Sequence, residues 1–375
     1  MRFIPLIATA SILFALPVHA AHVHGSHGSH VPNVNGARHQ PAGHASGATP
    51  ARFAATSGGT TGSGAYVFRH LPVEFPTAMA EHLVNAHGGF AQDHEAAGGD
   101  GSTYFSLKGV GILRLAPDLS SIAVVGGDKA IRGVNLHNTC LFREAGEPYL
   151  ALPSDEAQRA FLATLDGELL RTFPNPYGED GAPFRVCDLE YVDGQLFATN
   201  GYADNVCFAT LPLQGSEQDP LVGVWQALRF GGSGREHGKF GTAHGITRFP
   251  GSDTFTIADR ANARLESYSR AGRYIGGIDL PEGCMPCDVD YHGDLALVGC
   301  LKGPGGATPA PIYILEQGNL VAELNIGRDL GLEGFTHIHN AAFRSVRQPD
   351  GRERLYVLAY AWNPGNFAIL EQVID

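Results

Sequence analysis

Three histidines, His137 in "NLHNTCLF", His244 in "TAHGITRF" and His339 in "HIHNAAFR", lie far apart in the chain, each in an apolar, strand-like setting. Neutral imidazoles suit zinc, copper and iron. Three of them on one ion leave a coordination position for water or substrate, as in a catalytic rather than a closed structural site. Zinc is the expected metal, copper and iron are the alternatives, and calcium is a further, structural candidate. Residues so distant in sequence can share an ion only on a scaffold that converts spacing into angle.

The chain supplies such a scaffold as an internal repeat. "NAHGGFAQD", "NLHNTCLF", "RVCDLEYV", "TAHGITRF", "MPCDVDYH" and "HIHNAAFR" are versions of one short strand, marked by His87, His137, Cys187, His244, Cys287 and His339. Successive marks differ by 50, 50, 57, 43 and 52 residues, the length of a four-stranded blade. Glycine is abundant, strands look short, and only "SDEAQRAFLATL" at 154–165 reads as an amphipathic helix. The expected fold is all-β, a six-bladed β-propeller over residues 65–375. "AYVFRHL" near residue 66 is placed beside the last blade, where "FAILEQV" ends the chain.

In a propeller the innermost strand of each blade lines the central channel. Blades two, four and six then present His137, His244 and His339, and blades one, three and five present His87, Cys187 and Cys287. His87 is a candidate fourth ligand or a structural channel residue. His337 lies two residues before His339, so on a strand it faces the same side, about 7 Å away. Three roles are open to it: a further ligand, a substrate-orienting group or a proton carrier. The cysteines are even in number, and disulfides are expected, with Cys284–Cys300 as the first pair across the "YHG" hairpin.

The amino terminus, "MRFIPLIATASILFALPVHA", reads as a signal peptide over residues 1–20. Residues 21–64 contain no acid and almost no large apolar residue, which marks a disordered leader. Its His22, His24, His27 and His30 form a flexible metal chelator or part of a soluble spacer. The expected location is periplasmic or secreted, with no membrane attachment once the signal is removed. A formal charge of −12 disfavours nucleic acid as a partner. A small-molecule or peptide-derived substrate is expected instead, and the sequence leaves the oligomeric state open.

"GKFGTAHGITRFPGSDTFTIADRANARLESYSRAG" resembles the NHL-repeat propellers, and within them the peptidylglycine amidating lyases. The resemblance implies a catalytic zinc on three histidines from alternate blades, matched here by His137, His244 and His339. It implies an active-site arginine at Arg260, in "ADRANAR", and a catalytic tyrosine at Tyr202, in "GYADNV". The sequence departs from the pattern at His337, where the family has methionine, and at Asn340, where it has an acid. The family's second active-site arginine has only Arg69, Arg114 and Arg132 as candidates. The implied reaction is cleavage of an N-acyl α-hydroxyglycine-type substrate. The alternatives are a copper- or iron-dependent oxidoreductase on the same histidines and a non-catalytic binding propeller. Neither "FGGSGREHG" nor "CMPC" lies at the helix N-terminus that a phosphate loop or a reactive thiol would need.

Overall fold

The computed structural model describes residues 59–213, 224–348 and 350–374. The expected signal peptide and the expected leader up to residue 58 lie outside the described residues. The chain is all-β, a six-bladed propeller with one sheet per blade. It starts with the hairpin β1 (Thr60–Ser63) and β2 (Tyr66–Leu71), so strand structure begins inside the stretch assigned to the leader. Blade one follows as β3 (Ala91–Gln92), β4 (Thr103–Leu107), β5 (Gly111–Leu115) and β6 (Ile122–Gly126). Blade two is β7 (Cys140–Glu144), β8 (Glu147–Ser154), β9 (Arg159–Ala163) and β10 (Leu169–Phe173). Blade three comprises β11 (Asp188–Val192), β12 (Gln195–Thr199), β13 (Val206–Thr210) and β14 (Trp225–Gly231). Blade four comprises β15 (Ala243–Arg248), β16 (Thr254–Asp259), β17 (Arg264–Ser269) and β18 (Tyr274–Asp279). Blade five is β19 (Met285–His292), β20 (Leu295–Lys302), β21 (Ile312–Glu316) and β22 (Asn319–Leu324). Blade six is β23 (Asn340–Arg347), β24 (Glu353–Ala361) and β25 (Asn366–Gln372), completed by β2 and β1.

Both chain ends therefore close the ring. β2 pairs antiparallel with β25 from Phe68↔Gln372 to Leu71↔Ile369, and Phe68 is fully buried with Leu370 in the core of blade six. Turn chemistry sets the blade hairpins. Asp193 and Gly194, between β11 and β12, both have positive φ, at 46° and 86°, the signs of the type I′ turn that matches strand twist. Between blades the core is aromatic and aliphatic. Phe197 of blade three packs on Phe255 of blade four with centroids 4.9 Å apart.

The expected helix at 154–165 is instead the end of β8, a turn and β9. Gln158 takes a positive φ of 52° in the turn, and the Ser154 hydroxyl accepts the amide of Ala157 at 3.1 Å. Ala160, Phe161, Leu162 and Ala163 are all buried. A strand inside a stack of blades covers both its faces, so the apolar run carries no helical periodicity to obey. No helix among the described residues is long and apolar enough to cross a membrane.

Strand register fixes which residues share an end of the channel. Asp188 pairs with Thr199, Ala243 with Asp259 and Asn340 with Tyr360. The starts of the inner strands thus lie beside the ends of the second strands, at what is called here the upper end. Tyr202, Arg260 and Trp362 follow those second strands directly.

Candidate metal centre

At the upper end the rings of His137, His244 and His339 form a near-equilateral triangle, with centroids 5.6, 5.4 and 5.1 Å apart. One ring nitrogen from each lies within 4.8 Å of the other two. Nitrogens bound at the about 2.0–2.1 Å usual for zinc stand about 3.3 Å apart in a tetrahedron, so small ring movements complete the geometry. All three side chains are at most 1% exposed.

Two of the rings are oriented by hydrogen-bond partners, His244 from the next blade and His137 from its own. His244 Nδ1 donates to the Cys287 carbonyl at 2.6 Å, leaving Nε2 as a lone pair. Gly245 permits the approach, since a Cβ there would stand 2.7 Å from the same carbonyl. His137 Nε2 lies 3.3 Å from Asp155 Oδ1, and its Nδ1 is buried with no hydrogen-bond partner. Arg185 at 2.9 Å and Asn135 at 3.2 Å hold Asp155 in turn. Metal-bound imidazoles are commonly fixed this way, through the nitrogen that does not bind the ion. His339 goes further: both of its ring nitrogens are buried and unpartnered, which is costly unless something absent from the polypeptide satisfies them. Burial, then Arg260 and the neighbouring rings, hold His244 well below the usual imidazole range, and burial with the other imidazoles does the same to His339. The set is imidazole nitrogen and fits zinc, copper or iron; it lacks the oxygen donors that calcium takes.

Tyr202 and Arg260 stand against this triangle. The Tyr202 hydroxyl is 3.0 Å from His244 Nε2 and accepts from Arg260 Nη1 at 3.0 Å. Burial pushes the phenol up, and Arg260 pulls it back only in part. Arg260 is 6% exposed; its Nη2 donates to Cys287 Sγ at 3.2 Å, and Nε has no partner. The nearby carboxylates are engaged elsewhere, Asp259 with Arg264 at 3.0 Å and Asp204 with Tyr177 and Asn200. Among the described residues Arg260 is a buried cation without a carboxylate.

The other expected site residues are placed differently. His87 is not in the ligand triangle. It stacks between His137 at 4.8 Å and Trp362 at 4.6 Å, with Nδ1 on Asn135 Oδ1 at 2.9 Å, and burial lowers it to about 3. His337 precedes β23, so strand alternation does not govern it, and its Nδ1 contacts the Leu301 carbonyl at 2.9 Å. All six cysteines are free thiols, and the expected Cys284–Cys300 disulfide is not formed. Those two sulfurs are hydrogen-bonded neighbours, while Cys187 and Cys287 sit near Arg260. Arg69 pairs with Glu371, Arg114 with Asp100, and Arg132 contacts the Gly127 carbonyl. Arg185 is the second arginine at the site, 5.7 Å over the Tyr202 ring. Sequence reasoning missed Asp155, Asn135, Arg185 and Trp362.

No protein-family model and no curated protein matches the sequence. Similar solved structures include a gluconolactonase from Xanthomonas campestris, with a TM-score of 0.50 and 13% identity, covering 88% of this chain and 99% of that one. A chain in a nidogen/laminin complex gives 0.49 at 12% identity, covering 75% and 95%. A streptogramin B lyase gives 0.46 at 13% identity, covering 76% and 91%. At these identities the likeness concerns the fold.

Proposed function

We propose that this chain is an exported metal-dependent lyase that cleaves the C–N bond of N-acyl α-hydroxyglycine-type substrates, releasing an amide and glyoxylate. The observation that supports it is the pairing of unpartnered imidazole nitrogens on His137 and His339 with the uncompensated Arg260 guanidinium. Export rests on the amino-terminal sequence, and the reaction on the "ADRANAR" and "GYADNV" resemblance.

Bound at the triangle, a zinc ion would supply Lewis acidity toward the substrate hydroxyl. The remaining work belongs to side chains. Arg260 takes the substrate carboxylate through two N–H groups. Tyr202 accepts the hydroxyl proton; with Arg260 alone it is held as a phenol, so this role needs the further positive charge of a loaded centre. Loss of that proton lets the carbonyl form as the C–N bond breaks, and the departing amide nitrogen takes up the electron pair and a proton. Asp155 and the Cys287 carbonyl keep His137 and His244 in one tautomer throughout.

The direct test is glyoxylate release from N-benzoyl-α-hydroxyglycine by the mature protein before and after chelation and zinc restoration. Activity that vanishes with chelation and returns with zinc supports the lyase; no glyoxylate from the zinc-loaded protein overturns it. The thiol 3.2 Å from Arg260 and the stacked His87–Trp362 pair favour a second reading, a copper- or iron-dependent oxidoreductase. Stoichiometric copper or iron in the purified protein, with oxygen consumption, would select it.

A further inference from the structure

Below the histidine triangle the channel opens into a cavity of about 650 Å³. The repeat sets its chemistry. One residue beyond four of the six marks lie Asn138, Asp188, Asp288 and Asn340, and two residues beyond Asp188 and Asp288 lie Glu190 and Asp290; all six line the cavity. The four carboxylates bond to neutral amides. Asp188 takes Ile246 N at 2.7 Å, Glu190 takes Arg248 N at 3.1 Å and Asp290 takes Phe343 N at 2.7 Å, while Asp288 takes Asn138 Nδ2 at 3.2 Å. Arg143 and Arg248 also reach this cavity, but each has its own partner, Asp93 at 2.7 Å and Asp193 at 3.5 Å. A second, independent sign of an absent polar partner is Thr139, 6% exposed, whose buried Oγ1 has no hydrogen bond and which also lines the cavity.

The two approaches to the triangle therefore carry opposite charge. Above is Arg260, with Arg185 paired to Asp155; below are four acids. A cleft lined by one sign of charge concentrates and steers the opposite ion. Resting on the metal-centre reading above, we propose that the acid-lined cavity is the inlet through which a divalent cation reaches the three histidines, while the anionic substrate comes from the arginine end. The last barrier on the cation's path is the amide bridge from Asn340 Nδ2 to Asn138 Oδ1 at 2.6 Å, whose two residues directly follow the ligands His339 and His137. Burial pushes Asp290 up to about 6 and Glu190 up to about 7 and holds Asp188 and Asp288 well above the usual carboxylate range, so the negative charge that draws the cation sits on Glu190 and Asp290 and grows as pH rises through those two values.

The test is the rate of Co(II) uptake by the metal-free full-length protein, followed by the visible absorption of tetrahedral cobalt on nitrogen, for the wild type and for Glu190→Gln/Asp290→Asn. Both changes keep side-chain shape and remove charge. Uptake should slow at least tenfold in the double variant and lose most of its salt dependence, with the same final cobalt stoichiometry. Wild-type uptake kinetics in that variant, at full stoichiometry, overturn the inlet. A wild type that never develops the cobalt spectrum overturns the metal-centre reading itself. If the double variant does not fold, Asp290→Asn and the salt dependence of wild-type uptake decide, and uptake indifferent to salt contradicts the proposal.

Discussion

Even and odd blades place different side chains at the same structural position and put them to different use. In blades two and four the marked imidazole is oriented from outside, His137 by Asp155 and His244 by the Cys287 carbonyl, and His339 of blade six is left with two unpartnered nitrogens. In blades one, three and five the marked side chains pack around the triangle instead: His87 against His137, and Cys187 and Cys287 around Arg260. A channel position in a propeller is thus no predictor of a ligand. What sets the even-blade rings apart is a nitrogen left for an ion: the buried, unpartnered His137 Nδ1 and His339 nitrogens, and His244 Nε2, which faces the Tyr202 hydroxyl.

The largest effect is expected from interchanging that distinction. His244→Ala should remove about one metal per chain and reduce turnover to background, whereas Cys187→Ser should keep the metal; elemental analysis of the two purified variants checks it. Equal loss in both would make odd and even blades equivalent. Tyr202→Phe comes next, with kcat/KM down by about 10²–10⁴, the usual range for losing a general base, at unchanged metal content. Asp155→Asn should weaken metal affinity by about 10–100-fold through the wrong His137 tautomer, measured by competition with a chelator.

The smallest effect concerns His87. Burial lowers it from its ordinary 6.5 to about 3, so between those pH values the unfolded chain binds a proton that the folded chain refuses, and stability falls as pH falls. For the metal-free protein, chemical denaturation at pH 6.5 and pH 5 should show this loss, and His87→Gln should reduce it by about 1 kcal/mol, allowing for the ring's partial exposure at about 1.4 kcal/mol per pKa unit. An identical loss in the variant would show that His87 does not sense burial.

The ring of blades was legible because one strand recurs with a regular mark, and that same register placed the three imidazoles together. Less was legible wherever a local signal competed with the repeat. The helical reading of 154–165 hid Asp155, which would have been an ordinary first-turn acid; Gln158 at positive φ makes it a turn residue under His137 instead. Arg185 was within reach of the repeat, since it stands two residues before Cys187 as His337 stands before His339, but its charge alone did not set it apart from Arg69, Arg114 and Arg132. Strand alternation does not decide where His337 faces, because β23 begins only at Asn340; its Nδ1 contacts the Leu301 carbonyl at 2.9 Å. The pairing of Cys284 and Cys300 across a hairpin was right in proximity and wrong in covalency.

X-ray absorption at the metal edge of the loaded protein tests most directly whether even blades alone hold the ion. Three imidazole nitrogens at about 2.0–2.1 Å with no sulfur neighbour are predicted. A sulfur shell near 2.3 Å, bringing Cys187 or Cys287 onto the metal, would contradict the division of labour between the blades.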